Sequence, residues 1–178
     1  FIKILLIYFI STIFIIFLYS LVDIRLFDSF NLAFTAISSG GFISSNALSN
    51  IIKTDLQIFM LTLTLLFPIF NFFLLHDIIT KQFSLNRNQE DVHLGIVIVL
   101  LTLFLYFFVI SHEGFANVFF AIISSISTSG ITTYSSDFDM SLFFILLTII
   151  GGSVISTSSG FKYTRIYILL KISYQEIY

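Results

Sequence analysis

The chain has 178 residues, of which 57% are hydrophobic and only 10% charged, with a net charge of −2 and a mean hydropathy of +1.04. Soluble domains carry about 25% charged residues, so this composition excludes an ordinary soluble domain and reads as an integral membrane protein. The chain has no cysteine, which excludes disulfides and thiolate metal sites, and no basic run points to nucleic acid.

The first apolar stretch, about 4–22, follows almost at once on Phe1. It is long enough for one crossing as a helix, the only open-ended structure that satisfies its own backbone in lipid. The chain reads as a fragment or as one whose start is missing. No small-residue cleavage site follows this stretch; Asp23 and Arg25 do. Residues 23–55 come next, too short for another full crossing and rich in Ser, Thr and Gly. Within them lies FTAISSGGFISS, residues 34–45. A second crossing is predicted over about 56–76, with Pro68 inside it and Asn71 placed to hydrogen-bond a neighbouring helix or the freed backbone. Residues 77–92 are polar and read as an ordinary loop. A third crossing is predicted over about 93–111. A further Ser/Thr-rich stretch, ISSISTSGITTY at 123–134, then precedes a long segment over about 141–172, interrupted by Gly151, Gly152 and Gly160.

The two hydroxyl-rich stretches match at an offset of 130 − 41 = 89, which lays Gly41 on Gly130, Ile37 on Ile126, Ser38 on Ser127, Ser39 on Thr128 and Ser44 on Thr133. The same offset carries 4–22 onto 93–111. The chain therefore reads as two tandem parallel units, each helix, short re-entrant segment, helix. One unit covers 1–76, with its loop at about 29–46. The other covers 93–178, with its loop at about 115–135 and a broken last helix over about 141–172. Lys3, Lys81, Arg87, Lys162, Arg165 and Lys171, six of the eight basic residues, fall on one side, which marks that side and the 77–92 loop as cytoplasmic. Asp23, Asp28, Asp55, Glu113, Asp137 and Asp139 fall opposite and make an outer mouth that concentrates cations.

NLAFTAISS and VFFAIISSIST suit half-membrane helices whose carboxyl ends favour a cation. The irregular backbone after each is tolerated at membrane depth where protein covers it or water lines it. A pore loop meets that condition, with carbonyls replacing a cation's hydration shell, glycine supplying conformations closed to side chains, and Ser39 and Thr128 tying the loop or facing the ion. The plainer alternative is a pair of external loops with turn glycines. In the last segment, Gly151, Gly152, Ser153, Ser156, Thr157, Ser158, Ser159 and Gly160 fit either a close-packing small-residue face or a flexible plug below the loops. Lys162 and Arg165 fit either a gate that repels cations or interfacial anchors. His76, His93 and His112 sit at helix ends as interfacial polar residues.

Taken in order, AFTAISSGGFISS, FAIISSISTSGITTYSSDF and IIGGSVISTSSGFKYTR resemble the second pore loop, the third pore loop and the intramembrane gating loop of the Trk/Ktr/HKT superfamily of potassium transporters, of the TrkH type. MLTLTLLFPIFNFFLLH is similar to the helix after the second pore loop. The resemblance covers nearly all of the chain. It implies an all-α integral membrane fold, half of a pseudo-four-fold cation channel built from four helix–pore loop–helix repeats, in a plasma (bacterial inner) membrane. It implies potassium uptake with no cofactor beyond the transported K+, which backbone carbonyls at Gly41 and Gly130 would bind. Ser39, Gly40, Gly41 and Phe42 would form one part of the filter, Thr128, Ser129, Gly130 and Ile131 another, and 151–160 the gate. Val154, Ile155, Ser158 and Ser159 stand where family gating loops more often have small or glycine residues, and Ile131 where an aromatic is frequent. The implied partners are the lipid bilayer, a second copy in a homodimer, and a cytosolic nucleotide-binding regulatory subunit (TrkA/KtrA-like). Two repeats give half a ring, so the other half is expected from the full-length chain or another subunit; a non-conducting truncated remnant is the alternative. An intramembrane serine hydrolase is disfavoured, because the chain has no G-x-S-x-G pattern.

Overall fold

The computed structural model describes residues 2–71, 74, 89–108, 114–132 and 141–177. Seven α-helices and no strand occur among them: α1 (Ile2–Leu21), α2 (Leu26–Ser38), α3 (Asp55–Leu65), α4 (Gln89–Phe108), α5 (Phe115–Ile126), α6 (Ser141–Ile150) and α7 (Tyr163–Ile177), with a 3₁₀ turn at Leu48–Asn50.

α1 and α4 are each 20 residues long, about 30 Å at 1.5 Å per residue. Both are long and apolar enough to cross a membrane. Two of their hydroxyls cost little in an apolar setting because each bonds a carbonyl one turn back, Thr12 to Tyr8 at 2.7 Å and Thr102 to Ile98 at 2.8 Å.

The short helices α2 and α5 are the buried ones. Leu32, Ala33 and Ala36 of α2, and Val118, Phe120, Ile122 and Ile123 of α5, are fully buried. α2 packs against α1 and α3, and α5 against α3, α4 and α6. The long helices turn Phe9, Ile10, Phe107 and Phe108 outward, all exposed. This is the reverse of a soluble protein, in which exposed apolar side chains occur singly rather than as whole faces.

α1 is tied to α3 by Tyr19, whose hydroxyl meets Thr64 Oγ1 in the core. Thr64 spends its own proton on the Leu61 carbonyl at 2.8 Å, so Tyr19 is the donor. The start of α3 is fixed by a capping box between Thr54 and Gln57, and Gln57 also reaches the Val22 carbonyl at 2.9 Å.

Two element boundaries differ from expectation among the predicted crossings. α3 ends at Leu65 and gives way to turns over 66–70, so no unbroken helix runs from 56 to 76. Pro68 explains this: it lacks an N–H, and its ring collides with the carbonyl four residues earlier. α4 begins at Gln89 rather than 93, so Glu90 and Asp91 belong to a helix and not to the loop. The final segment is two helices, with 151–162 non-helical between them at the glycines that interrupt it. α2 begins at Leu26, ahead of the 29 expected for its loop, and α5 begins at Phe115, the position expected for the second. His76, His112, Lys81, Arg87, Glu113, Asp137, Asp139 and Thr133 lie outside the described residues.

Candidate functional site: two half-helix ends above a non-helical segment

The backbone after α2 and after α5 takes the same turn. Ser39 (φ 56°) and Thr128 (φ 61°) are left-handed, as are Gly41 (φ 70°) and Gly130 (φ 64°), each pair 89 residues apart. Left-handed backbone is costly for a side-chain-bearing residue, so its occurrence at both Ser39 and Thr128 marks a shape the surroundings impose. The same hydroxyl holds each turn closed. Thr35 Oγ1 donates to the Phe42 carbonyl, and Ser124 Oγ, again 89 residues on, donates to the Ile131 carbonyl at 2.5 Å. In the second loop Ser127 and Ser129 join this network, with Ser129 Oγ 3.2 Å from the Ser124 carbonyl.

The two loops meet. A Cβ on Gly41 would fall 2.1 Å from the Ser129 carbonyl oxygen, an impossible approach. Gly41 is thus glycine for two reasons, its positive φ and the backbone of the other loop. At Gly130 the φ applies, and among the described residues nothing lies within 4 Å of the position a Cβ would take. Phe42 is 79% exposed, whereas its counterpart Ile131 is buried. The Ser39 hydroxyl is buried with no hydrogen-bond partner among the described residues.

Residues 151–162 leave and return at one place. Phe161 N–H bonds the Ile149 carbonyl at 2.8 Å and Tyr163 N–H the Gly152 carbonyl at 3.0 Å, so both ends of the segment meet. Gly151 (φ 68°) and Gly160 (φ 90°) make the bends. A Cβ on Gly151 would fall 2.1 Å from the Ser159 carbonyl, and one on Gly152 would fall 2.3 Å from the Ile69 carbonyl.

This segment seats against both half-helix ends. Thr157 Oγ1 donates to the Ile37 carbonyl in the last turn of α2 at 2.7 Å. Ser159 N–H donates to Thr128 Oγ1, just past α5, at 3.0 Å. Thr128 therefore bonds the segment and Ser39 does not. On its other side the segment fills the break in α3: Ser153 N–H bonds the Ile69 carbonyl at 2.8 Å and Ser158 N–H the Pro68 carbonyl at 3.0 Å.

Lys162 and Arg165 part company. The Lys162 ammonium sits inside the segment, donating to Ser156 Oγ at 3.0 Å, to the Ser156 carbonyl at 3.1 Å and to the Ser158 carbonyl. Arg165 is exposed on the first turn of α7, and His93 is exposed on α4.

No family model matches the chain, and no curated protein matches it. Among solved structures it is similar to the crystal structure of the potassium transporter TrkH from Vibrio parahaemolyticus, with a TM-score of 0.75 and 21% identity. The described fold is TrkH-like. The likeness covers 94% of this chain and 39% of that one, so the chain spans about two fifths of the transporter's length.

Two residues at this site are missed by reasoning from sequence. Glu90 Oε1 accepts from Val154 N–H at 2.7 Å and from Thr164 Oγ1 at 3.0 Å. Asp91 Oδ1 accepts from Asn71 N–H at 2.9 Å, beyond the α3 break. The available signal is an acidic pair before an apolar run, the usual composition of a helix's first turn. It is masked by the polar stretch in front of it. Asn71 meets the break through its backbone N–H.

Proposed function

We propose that this chain is the half-ring of a membrane cation pore that takes up potassium, with 39–42 and 128–131 as two filter loops and 151–162 as the gate beneath them. The observation that carries the reading is the segment hydrogen-bonded to the ends of two half-helices whose following loops share one conformation 89 residues apart. The half-helices aim their negative ends at the place where those loops meet, which favours a cation. Carbonyls at Gly41 and Gly130 would then substitute for water around K+, with the remaining half of the ring coming from further loops of the same kind. The exposed apolar faces of α1 and α4, each long enough to cross, support placement in a bilayer. The potassium transporter that shares the fold supports the choice of ion. The test is potassium-dependent growth of an uptake-deficient host that expresses the complete gene. Restored growth and rubidium uptake are expected, and a well-expressed protein that restores neither refutes the reading.

A further inference from the structure

We propose that Glu90 is a positioning residue that latches the 151–162 segment in its seat under the filter loops. The proposal rests on reading that segment as a gate. A single carboxylate oxygen, Glu90 Oε1, holds both sides of the non-helical stretch, Val154 N–H near its start and Thr164 Oγ1 just past its end. The bond to Val154 adjoins the bond from Ser153 N–H to the Ile69 carbonyl. Two successive N–H groups, which would have continued α6, are thus taken by α4 and by the broken end of α3. Asp91, the next residue of α4, holds the far side of the same break through Asn71 N–H. The first turn of α4 therefore grips both walls of the seat.

Lys162 closes the segment from within by binding oxygens of Ser156 and Ser158, but reaches no other helix in doing so. Glu90 is different because it joins the segment to a separate long helix. A carboxylate suits this role, since hydrogen bonds to a charged acceptor are about twice as strong as neutral ones and a negative charge is favoured at a helix amino end. A shift of the amino end of α4 relative to α6 and α7 must then lengthen the Val154 or the Thr164 bond and loosen the segment. α4 becomes the lever through which the gate is biased.

The experiment is potassium efflux from lipid vesicles carrying the full-length protein, comparing the native chain with Glu90→Ala, Glu90→Gln, Thr164→Val and Gly152→Ala. Glu90→Ala removes both bonds and is expected to raise resting efflux about 100-fold, about tenfold for each charged hydrogen bond, with the KM for potassium unchanged because the filter loops are untouched. Glu90→Gln keeps an oxygen that accepts both bonds but loses the charge, so its efflux falls between the native level and that of Glu90→Ala. Thr164→Val removes one of the two bonds and raises efflux about tenfold; it carries the test if Glu90→Ala does not fold. Native efflux in Glu90→Ala or Thr164→Val, with Gly152→Ala leaky, overturns the latch and leaves the gate standing. Equal behaviour of the Ala and Gln variants, or a KM that moves with the rate, also overturns the latch. Native efflux in all of them, Gly152→Ala included, overturns the gate itself.

Discussion

Gly152→Ala separates steric fit from backbone conformation, because Gly152 is not among the left-handed glycines. Its added methyl would lie 2.3 Å from the Ile69 carbonyl oxygen and 2.9 Å from Ile69 Cα. Both are backbone atoms that cannot swing aside. Ordinary contact begins at 3.4 Å, so the segment must withdraw by about 3.4 − 2.3 = 1.1 Å. That withdrawal stretches the Ser153–Ile69 bond from 2.8 Å and the Ser158–Pro68 bond from 3.0 Å, leaving each at about 4 Å, beyond hydrogen-bonding range. Two lost bonds with partly orphaned partners cost about 3 kcal/mol, roughly a 100-fold shift away from the seated arrangement. Measured as potassium leak from vesicles, the variant should conduct at rest while remaining folded and monodisperse. Gly95→Ala is the control: among the described residues its methyl would meet only the Phe70 ring, at 3.8 Å, and it replaces a helical glycine, so it should keep native flux and gain about 0.5–1 kcal/mol of stability. A Gly152→Ala protein with native leak and native melting would refute the seating of 151–162 in the α3 break.

Gly41→Ala should abolish transport without unfolding the helices, because its methyl would collide with the Ser129 carbonyl at 2.1 Å and its φ of 70° disfavours any side chain; rubidium uptake by a folded variant would show that the two loops do not meet this way in the working protein. Thr157→Val removes the bond to Ile37, and Thr128→Val removes the acceptor for Ser159 N–H. Each is worth about 1 kcal/mol and should raise resting efflux about fivefold. Tyr19→Phe removes the donor to Thr64 but leaves Thr64 bonded to Leu61, so melting in detergent should show a loss of about 1 kcal/mol, with flux per folded molecule unchanged.

What the sequence made legible was set by range. α1 and α4 are readable because twenty apolar residues are a local signal. The turns after α2 and α5 are readable because each holds itself closed with a hydroxyl seven residues before the carbonyl it binds, Thr35 with Phe42 and Ser124 with Ile131. The early end of α3 is hidden because Leu65, Leu66, Phe67, Ile69 and Phe70 are as apolar as any helix in the chain, so hydropathy runs straight through the break. Pro68 marks it, yet a proline in a membrane helix is often only a kink. What turns this one into a break is a bonding partner more than eighty residues away. Glu90 was hidden for the same reason: its role is set by Val154 and Thr164, which no local pattern connects to it.

The two breaks are best understood as one device, through the accounting of backbone groups. Past Leu65 the carbonyls of Pro68 and Ile69 accept from the N–H groups of Ser158 and Ser153, which lie past Ile150 outside any helix. The two non-helical stretches thus supply partners to each other. Such a pairing resists gradual displacement. Moving the segment by an ångström forfeits both bonds together, and an unpaired buried amide costs on the order of 1–3 kcal/mol. On the proposed reading of the segment as a gate, the carbonyls of Pro68 and Ile69 would then be met by water or a cation from the pore, so unseating the segment and admitting water would be one event with two states rather than a graded hinge motion.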